Sequence, residues 1–142
     1  MTVMTAADAR PLNFPNVESV VAGFLQGRQE LSGVPIGSVL PPGFNGTQRA
    51  VVLTRLGGVF VDDDQLDNAE VRIDSYGPDK IAAHALACVV RGVLPLLTRA
   101  ALGASDLAEI QGPCFSVDRR HSDANRYLMK YRFVLEVYPR PA

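Results

Sequence analysis

The sequence is poor in several residue types on which protein chemistry often depends. Its 142 residues include two cysteines, two histidines and no tryptophan. Two cysteines are too few for a disulfide framework or a cysteine-based zinc site, so Cys88 and Cys114 are expected to be small, buried and unreactive hydrophobic residues. The serines occur in no G-x-S-x-G context, and "LGGVF" lacks the spacing of a phosphate-binding loop. The sequence therefore predicts a protein that is not an enzyme and holds no cofactor.

An excess of charge of either sign is also lacking. Fourteen basic and 15 acidic side chains give a formal net charge of -1, so no general field draws the molecule to nucleic acid or anionic lipid. The first 14 residues lack the pattern of a signal peptide, and no later stretch is expected to span a bilayer. We therefore expect synthesis in the cytosol and no membrane partner.

The composition that is present favours an ordinary globular protein. Hydrophobic residues make up 47% of the chain and charged residues 20%, and 142 residues suffice for one domain with its own core. Residues 1–14 show little periodicity and are expected to form a flexible N-terminal tail. Residues 15–139 are expected to form a single domain.

Two helices are predicted from apolar spacing and capping residues. Asn16 is a suitable N-cap for a helix that ends between Arg28 and Leu31, with apolar residues at i, i+3, i+4, i+7 and i+8. Gly77-Pro78-Asp79 is predicted to start the second helix, with proline in its first turn. Pro95 should kink or break this helix near residues 91–94 because proline lacks an amide donor.

The remaining segments favour strands. They are residues 36–40, 49–56, 59–61, 70–76, 106–117 and 126–138, with a bulge permitted at Gly57-Gly58 and an edge position or bulge indicated by Gly112-Pro113. In the last strand, Tyr127, Tyr131 and Phe133 are expected to face the core rather than to stack on nucleic acid bases. Because the strands are consecutive rather than alternating with helices, we expect an α+β two-layer sandwich. Its sheet is mainly antiparallel, with both helices on one face.

An acidic cluster marks the connection between two predicted strands. Asp62, Asp63, Asp64 and Asp67 fall between Val61 and Ala69. Calcium loops supply spaced oxygen ligands around a glycine, and this segment has neither the spacing nor the glycine. The pattern favours a solvated loop tip or a charged contact surface over a metal site, although a small metal-dependent enzyme using Asp62–Asp67 stays open as an alternative.

The histidines are expected to be surface residues. His84 shares a helical face with Lys80 and Arg91, which should repel a cation, and no second ligand is expected at the neighbouring turn. His121 lies with Arg119 and Arg120 in a polar segment of mixed charge. The sequence thus predicts no metal ligands and a candidate subunit or partner contact surface, formed by Arg55, Asp62, Asp63, Asp64, Asp67, Arg119, Arg120 and His121.

The order of these segments resembles a known family. "FPNVESVVAGFL", "VVLTRLGG" with the following acids, "AEVRIDSYG", "AAHALACVVRGVL", "GPCFSVD" and "NRYLMKYRFVLEV" together resemble the tail terminator proteins of long-tailed, siphovirus-type actinobacterial phages. The resemblance extends from Phe14 to Tyr138, and it rests on the order and spacing of the segments. The sequence departs from the family where Tyr76-Gly77-Pro78 closes the third strand and where the acidic loop is unusually rich in aspartate.

The resemblance implies a virion structural protein with the fold expected above. Such a protein would form a ring of identical subunits, most simply a hexamer, at the head-proximal end of the tail, stop the growth of the tail tube and offer a surface to the head. Its partners would be further copies of itself, the major tail tube protein and a head-side connector or stopper protein, while DNA passes through the lumen without specific binding. A stopper or a minor tail adaptor is the alternative within the same class.

Overall fold

A five-stranded sheet with two helices on one face forms the body of the protein. The computed structural model describes residues 11–61, 65–100, 103–118 and 126–141. Within them, the α+β two-layer sandwich is confirmed. The elements in chain order are β1 (Leu12–Asn13), α1 (Val17–Gln26), β2 (Ile36–Gly37), β3 (Ala50–Val61), β4 (Leu66–Gly77), α2 (Lys80–Val93), β5 (Ala104–Asp118), β6 (Arg126–Val137) and β7 (Arg140–Pro141).

The main sheet is almost entirely antiparallel. Its strand order is β2-β3-β4-β6-β5, and only the short β2 runs parallel to its neighbour β3. β1 and β7 form a separate antiparallel pair, in which Leu12 lies opposite Pro141. Leu12 and Asn13, which belong to the segment 1–14 expected to be a flexible tail, thus pair with a strand near the other end of the chain. Residues 1–10 lie outside the described residues.

Helix α1 forms where the apolar spacing predicts it. The Asn16 side chain caps its first turn by accepting a hydrogen bond from the Ser19 amide at 3.2 Å. The helix ends at Gln26, earlier than predicted, and a separate 3-10 turn covers Gln29–Leu31. Its buried stripe consists of Val17, Val21, Ala22 and Leu25.

Helix α2 begins at Lys80, two residues after the proline predicted to lie in its first turn. Asp79 is the N-cap and accepts a hydrogen bond from the Ala82 amide at 2.7 Å, so Pro78 precedes the cap instead of occupying the first turn. The helix ends at Val93, and a 3-10 helix continues over Leu94–Arg99. The predicted break before Pro95 is confirmed, because an α-helix cannot continue through a residue without an amide donor.

The principal core lies between the helices and one face of the sheet. Alternate residues of β4 and β6 point into it, as the period of two predicts. Tyr131 and Phe133 lie on this face, as expected, with ring centroids 5.8 Å apart. The largest fully buried side chains in this layer include Leu25, Leu53, Ile73, Leu86, Leu94, Phe133 and Leu135.

A second apolar cluster covers one end of the opposite sheet face. Phe44, from the connection between β2 and β3, packs edge to face on Tyr76 with ring centroids 5.4 Å apart. Ala50, Val52 and Leu128 complete the cluster. The sequence predicted that this face of β4 meets solvent or a partner throughout. That prediction is wrong at its end, because the connection folds back over the face and buries Tyr76.

The segment Lys80–Arg99 corrects the expectation that no later stretch could span a bilayer. It contains 20 residues with a mean hydropathy of 1.8, so by length and composition it is able to cross a membrane. In the structure it is the packed helix α2 with its 3-10 extension, and Ala83, Leu86, Ala87 and Val90 are buried on α2. Core helices of globular domains pass the same test of length and composition.

Candidate interaction surfaces

The residues expected to form a contact surface fall into two groups. Arg55 and Asp67 are described, and they contact each other. The other six lie outside the described residues, so their prediction as contacts stays untested: Asp62, Asp63, Asp64, Arg119, Arg120 and His121.

Arg55 and Asp67 form a bidentate ion pair across the β3–β4 hairpin. The two terminal guanidinium nitrogens of Arg55 donate to the two carboxylate oxygens of Asp67 at 2.9 and 2.7 Å. Asp67 is 3% exposed, whereas the Arg55 side chain is 31% exposed. Two parallel charge-assisted hydrogen bonds fix the relative orientation of the two side chains.

Asp67 is therefore not part of a solvated loop tip. It lies in β4 opposite Phe60 of β3, with its side chain on the helix-covered face of the sheet. A carboxylate in such a place requires a partner, because an uncompensated buried charge costs several kcal/mol. The prediction of an exposed contact role is wrong for Asp67, whose carboxylate is occupied within the subunit.

Two further contacts fix the position of Arg55. Its backbone amide donates to the Glu18 carboxylate of α1 at 2.8 Å, and its side-chain Nε donates to the Gly57 carbonyl at 3.0 Å. The first contact ties α1 to β3 at a point where β2 no longer covers that strand. The second contact holds the chain at the start of the bulge. We refer to Glu18, Arg55 and Asp67 as the hairpin clamp.

The predicted bulge is confirmed, and it requires glycine. The β3–β4 register shifts between Arg55 and Gly57, and Gly57 and Gly58 have φ values of 123° and 107°. A β-carbon at Gly58 would lie 1.9 Å from the Asn68 carbonyl oxygen. Residues with side chains rarely adopt such φ values, so Gly58 is required both by its backbone conformation and by the closeness of the neighbouring strand.

The far part of the hairpin, in which residues 56–61 of β3 lie beside residues 66–70 of β4, carries exposed apolar side chains on β3. Val61 pairs with Leu66, so the segment 62–65, which contains the three adjacent aspartates, joins the two strands at that end. Val59 is 66% exposed, and Leu56 is exposed as well. On the helix side, the Phe60 ring packs edge to face on Phe14 at 5.1 Å. The hairpin therefore presents apolar side chains next to the acidic sequence.

The sheet face opposite the helices carries paired charges. Glu70 and Arg132 form an ion pair between β4 and β6, and Arg72 Nε lies 3.2 Å from the Asp74 carboxylate. Arg72 and Arg132 are directly opposite each other in the strand register. Each arginine has an acidic partner, which offsets the repulsion expected between like charges at opposed positions. This half-exposed face is therefore polar but close to neutral.

Both outer strands of the sheet leave backbone groups available for pairing. β2 covers the outer side of β3 only at Val51 and Val52. Within the described residues, no strand pairs with the outer side of β3 beyond Val52 or with the outer side of β5. β5 is the edge strand that Gly112-Pro113 predicted, and its register with β6 shifts on both sides of Gln111. Its Ile110 side chain is exposed.

The helix-covered side of β5 carries a second bidentate ion pair. Arg91 of α2 donates to both carboxylate oxygens of Glu109, at 2.7 and 2.9 Å. The Glu109 carboxylate also acts on the phenol of Tyr131, a buried residue of β6. Burial, with a smaller contribution from the Glu109 carboxylate, raises the pKa of Tyr131 to about 12. The Arg91 charge opposes this increase. The hydrogen bond to Glu109 raises the pKa of Arg91.

The prediction of two buried, inert cysteines is wrong, because both Cys88 and Cys114 are exposed. Cys88 lies on the outward side of α2, and Cys114 lies on β5 opposite Lys130. The expectation that His84 has no second ligand at the neighbouring turn is also wrong. The Cys88 sulfur lies 3.7 Å from His84 Nε2. The apolar run around Cys88 suggested burial, but the side of this amphipathic helix that faces the core is the one opposite Cys88.

The described residues contain no group of three or more potential metal-ligating histidine, cysteine, aspartate or glutamate side chains. A shallow groove of about 310 Å³ runs beside α1, lined by small and polar residues including Asn16, Ser19, Gly23 and Gln26. Glu18 also lines it, and its carboxylate accepts the hydrogen bond from the Arg55 amide. What the described surfaces can do chemically is to form hydrogen bonds, ion pairs and apolar contacts with another protein surface.

A search with protein-family models finds no matching family, and a search of curated proteins finds no matching relative.

Proposed function

We propose that this chain is a tail terminator of a long-tailed phage. In this role it acts without catalysis: copies form a ring, most simply a hexamer, at the head-proximal end of the tail tube. The ring stops tube polymerisation and offers a joining surface to the head-side connector protein. The protein would assemble in the host cytoplasm and reside in the virion.

The observation that carries the proposal is the order of the resembling sequence segments on the fold. Each segment coincides with a different element, namely α1, β3, β4, α2, β5 and β6. A resemblance confined to one helix or one hairpin would carry little weight, since such patterns recur in unrelated proteins. Here the segments together span both layers of a single domain.

The two sheet edges support the formation of a ring. Beyond Val52, the outer side of β3 forms one margin of the sheet, and the outer side of β5 forms the opposite margin. A contact that joins two different patches on successive copies is heterologous, and such contacts close into a ring when the rotation permits it. Backbone pairing between strands gives such a contact affinity, while side chains such as Val59 and Ile110 would add specificity.

The acidic residues receive a role within this proposal. A sequence of three aspartates between two hairpin strands would keep DNA from adhering if it faced the lumen, or would meet basic groups of an adjoining ring if it faced the rim. The hairpin clamp would hold the base of this hairpin in a fixed direction. Arg55 and Asp67 would then support the contact surface and would not themselves touch the partner.

Capping of growing tails tests the proposal. Purified protein is added to tail tubes polymerising from the cognate tube protein, and tube lengths are measured by negative-stain microscopy. We expect growth to stop, with added density at one end of each tube. A matched variant, Val59→Asp, changes an exposed residue beside the hairpin end and should cap poorly while folding normally.

Two other outcomes would contradict the proposal. If the protein binds filled heads and leaves tube growth unchanged, it is a head-side stopper. If Mg²⁺ or Ca²⁺ binds with heat release that is lost on replacing Asp62, Asp63 and Asp64 by asparagine, the alternative of a metal-dependent enzyme gains support.

A further inference from the structure

A cysteine and a histidine lie side by side on the outward face of α2. The Cys88 sulfur is 3.7 Å from Nε2 and 3.8 Å from Nδ1 of His84, one helical turn away. Both residues are exposed, and neither is used in the packing of the helix on the sheet. The proposed terminator role makes no use of either side chain.

The separation of the two side chains fits the geometry of a bound metal ion. In tetrahedral zinc sites the metal–sulfur distance is about 2.3 Å and the metal–nitrogen distance about 2.0–2.1 Å, which places sulfur and nitrogen about 3.6 Å apart. The separations in this protein differ from that value by only 0.1–0.2 Å. The sulfur is almost equidistant from the two nitrogens, and the imidazole χ2 angle is soft, so rotation of the ring decides which nitrogen would face the ion.

The neighbouring cations do not occupy this position. The Lys80 ammonium lies 4.8 Å from the centre of the Phe115 ring, on the side of the helix that faces β5. Arg91 is held by both carboxylate oxygens of Glu109, so its charge is neutralised within the subunit. The repulsion expected from Lys80 and Arg91 at the sequence level is therefore reduced by their own partners.

The surroundings leave room for an ion and its water ligands. Ala85 and Gly92, on the same outward side, have little or no side chain, and both are exposed. Ile81 is the large apolar neighbour and is 81% exposed. Within the described part of the chain, no third side chain of ligating type joins the pair.

We propose that His84 and Cys88 bind one soft divalent metal ion of the zinc class per chain, as two protein ligands completed by water. The cysteine binds as the thiolate and the histidine as the neutral imidazole, and binding releases the thiol proton to solvent. Soft sulfur and imidazole ligands select zinc or cobalt over magnesium or calcium. This inference does not depend on the tail terminator role.

Cobalt titration tests the site, because a cobalt–thiolate bond absorbs in the near ultraviolet. Co²⁺ is added to the full-length protein under a phosphine reductant, and absorption is followed to saturation. We expect the thiolate band to saturate at one equivalent and to disappear when Zn²⁺ is added. Cys114→Ser, which removes the other exposed thiol, should behave like the wild type.

Two variants separate a two-ligand site from a single reactive thiol. Cys88→Ser should abolish the band. His84→Ala should weaken Co²⁺ binding by about tenfold or more, because the ion then loses the ligand that the helix holds beside Cys88. Far-ultraviolet circular dichroism should be unchanged in both variants, since both side chains are exposed. The proposal is overturned if the wild type shows no band, if Cys88→Ser retains it, or if His84→Ala binds Co²⁺ as tightly as the wild type.

Discussion

Two bidentate arginine–carboxylate pairs with similar hydrogen-bond lengths occupy different environments in this protein. The Arg55–Asp67 pair joins β3 to β4, with Asp67 almost completely buried, whereas the Arg91–Glu109 pair joins α2 to β5 at the surface. Their hydrogen-bond lengths span the same 2.7–2.9 Å. Because the bond lengths are alike, we expect burial to decide how much the fold depends on each pair.

The largest effect is expected from breaking the buried pair. Arg55→Ala leaves the Asp67 carboxylate without its partner in a place that water hardly reaches, so the free energy of unfolding should fall by about 3–5 kcal/mol. Urea denaturation measures the change. Arg55→Lys keeps the charge but loses the two-pronged geometry and should lose less. A loss below about 1 kcal/mol for Arg55→Ala would mean that Asp67 is more accessible to water than the structure indicates.

A smaller effect is expected next to the clamp, at the bulge. Gly58→Ala would force a β-carbon against the Asn68 carbonyl and hold alanine at positive φ, at a cost of about 2–4 kcal/mol. Gly57→Ala is the matched control. It has a similar φ but no atom within 4 Å of the added carbon, so it should cost about 1–2 kcal/mol. Equal losses in urea denaturation would contradict the close approach of β4 at Gly58.

Alkaline pH sharpens the comparison at the surface pair, because the Glu109 carboxylate also helps to raise the pKa of Tyr131. The folded pKa of Tyr131, about 12, exceeds its ordinary value of 10. The folded state therefore keeps this proton longer than the unfolded state does. The contribution of Tyr131 is fully present below pH 10 and is lost as pH rises towards 12, with a slope of about 1.4 kcal/mol per pH unit.

Tyr131→Phe should flatten that alkaline decline. At neutral pH it should cost no more than about 1 kcal/mol, because the substitution removes only the hydroxyl group. Urea denaturation at pH 8 and pH 11 measures the loss of stability in the wild type and in Tyr131→Phe. Subtracting one loss from the other cancels the contributions of the other titrating groups. Parallel pH profiles for the two proteins would show that Tyr131 does not carry the effect.

The smallest effect is expected from breaking the surface pair. Arg91→Ala leaves a carboxylate that is 35% exposed and that water can reach, so stability should change less than in any variant above. Raising the salt concentration should reduce even this difference, since exposed charges are screened. A loss comparable to that of Arg55→Ala would contradict the proposed importance of burial.

Much of the fold was predictable because its signals are local. The apolar spacing of Val17, Val21 and Leu25 and the cap at Asn16 predict α1 without tertiary information. Pro95 predicts the end of α2, and Gly57-Gly58 predicts the bulge, because each follows from the backbone chemistry of a single residue type.

The features that were missed depend on contacts between distant residues. Asp67 appeared to belong to an acidic loop, and only the hairpin register places it against Arg55, 12 residues earlier. Tyr76 appeared on a solvent-facing row, but Phe44 covers it. The exposure of Cys88 depends on which side of α2 meets the sheet. Arginine and aspartate on either side of a Gly-Gly bulge are a signal that could have indicated the ion pair.

The length distribution of tails is the most direct test of whether this chain stops tail growth. In a phage whose genome encodes this chain, the gene is deleted and supplied again from a plasmid, and tails are measured by negative-stain microscopy. If the chain is a tail terminator, the deletion should give overlong tails of variable length without attached heads. Supplying the gene from the plasmid should restore tails of uniform length. Tails of normal length that join heads in the absence of the protein would contradict it.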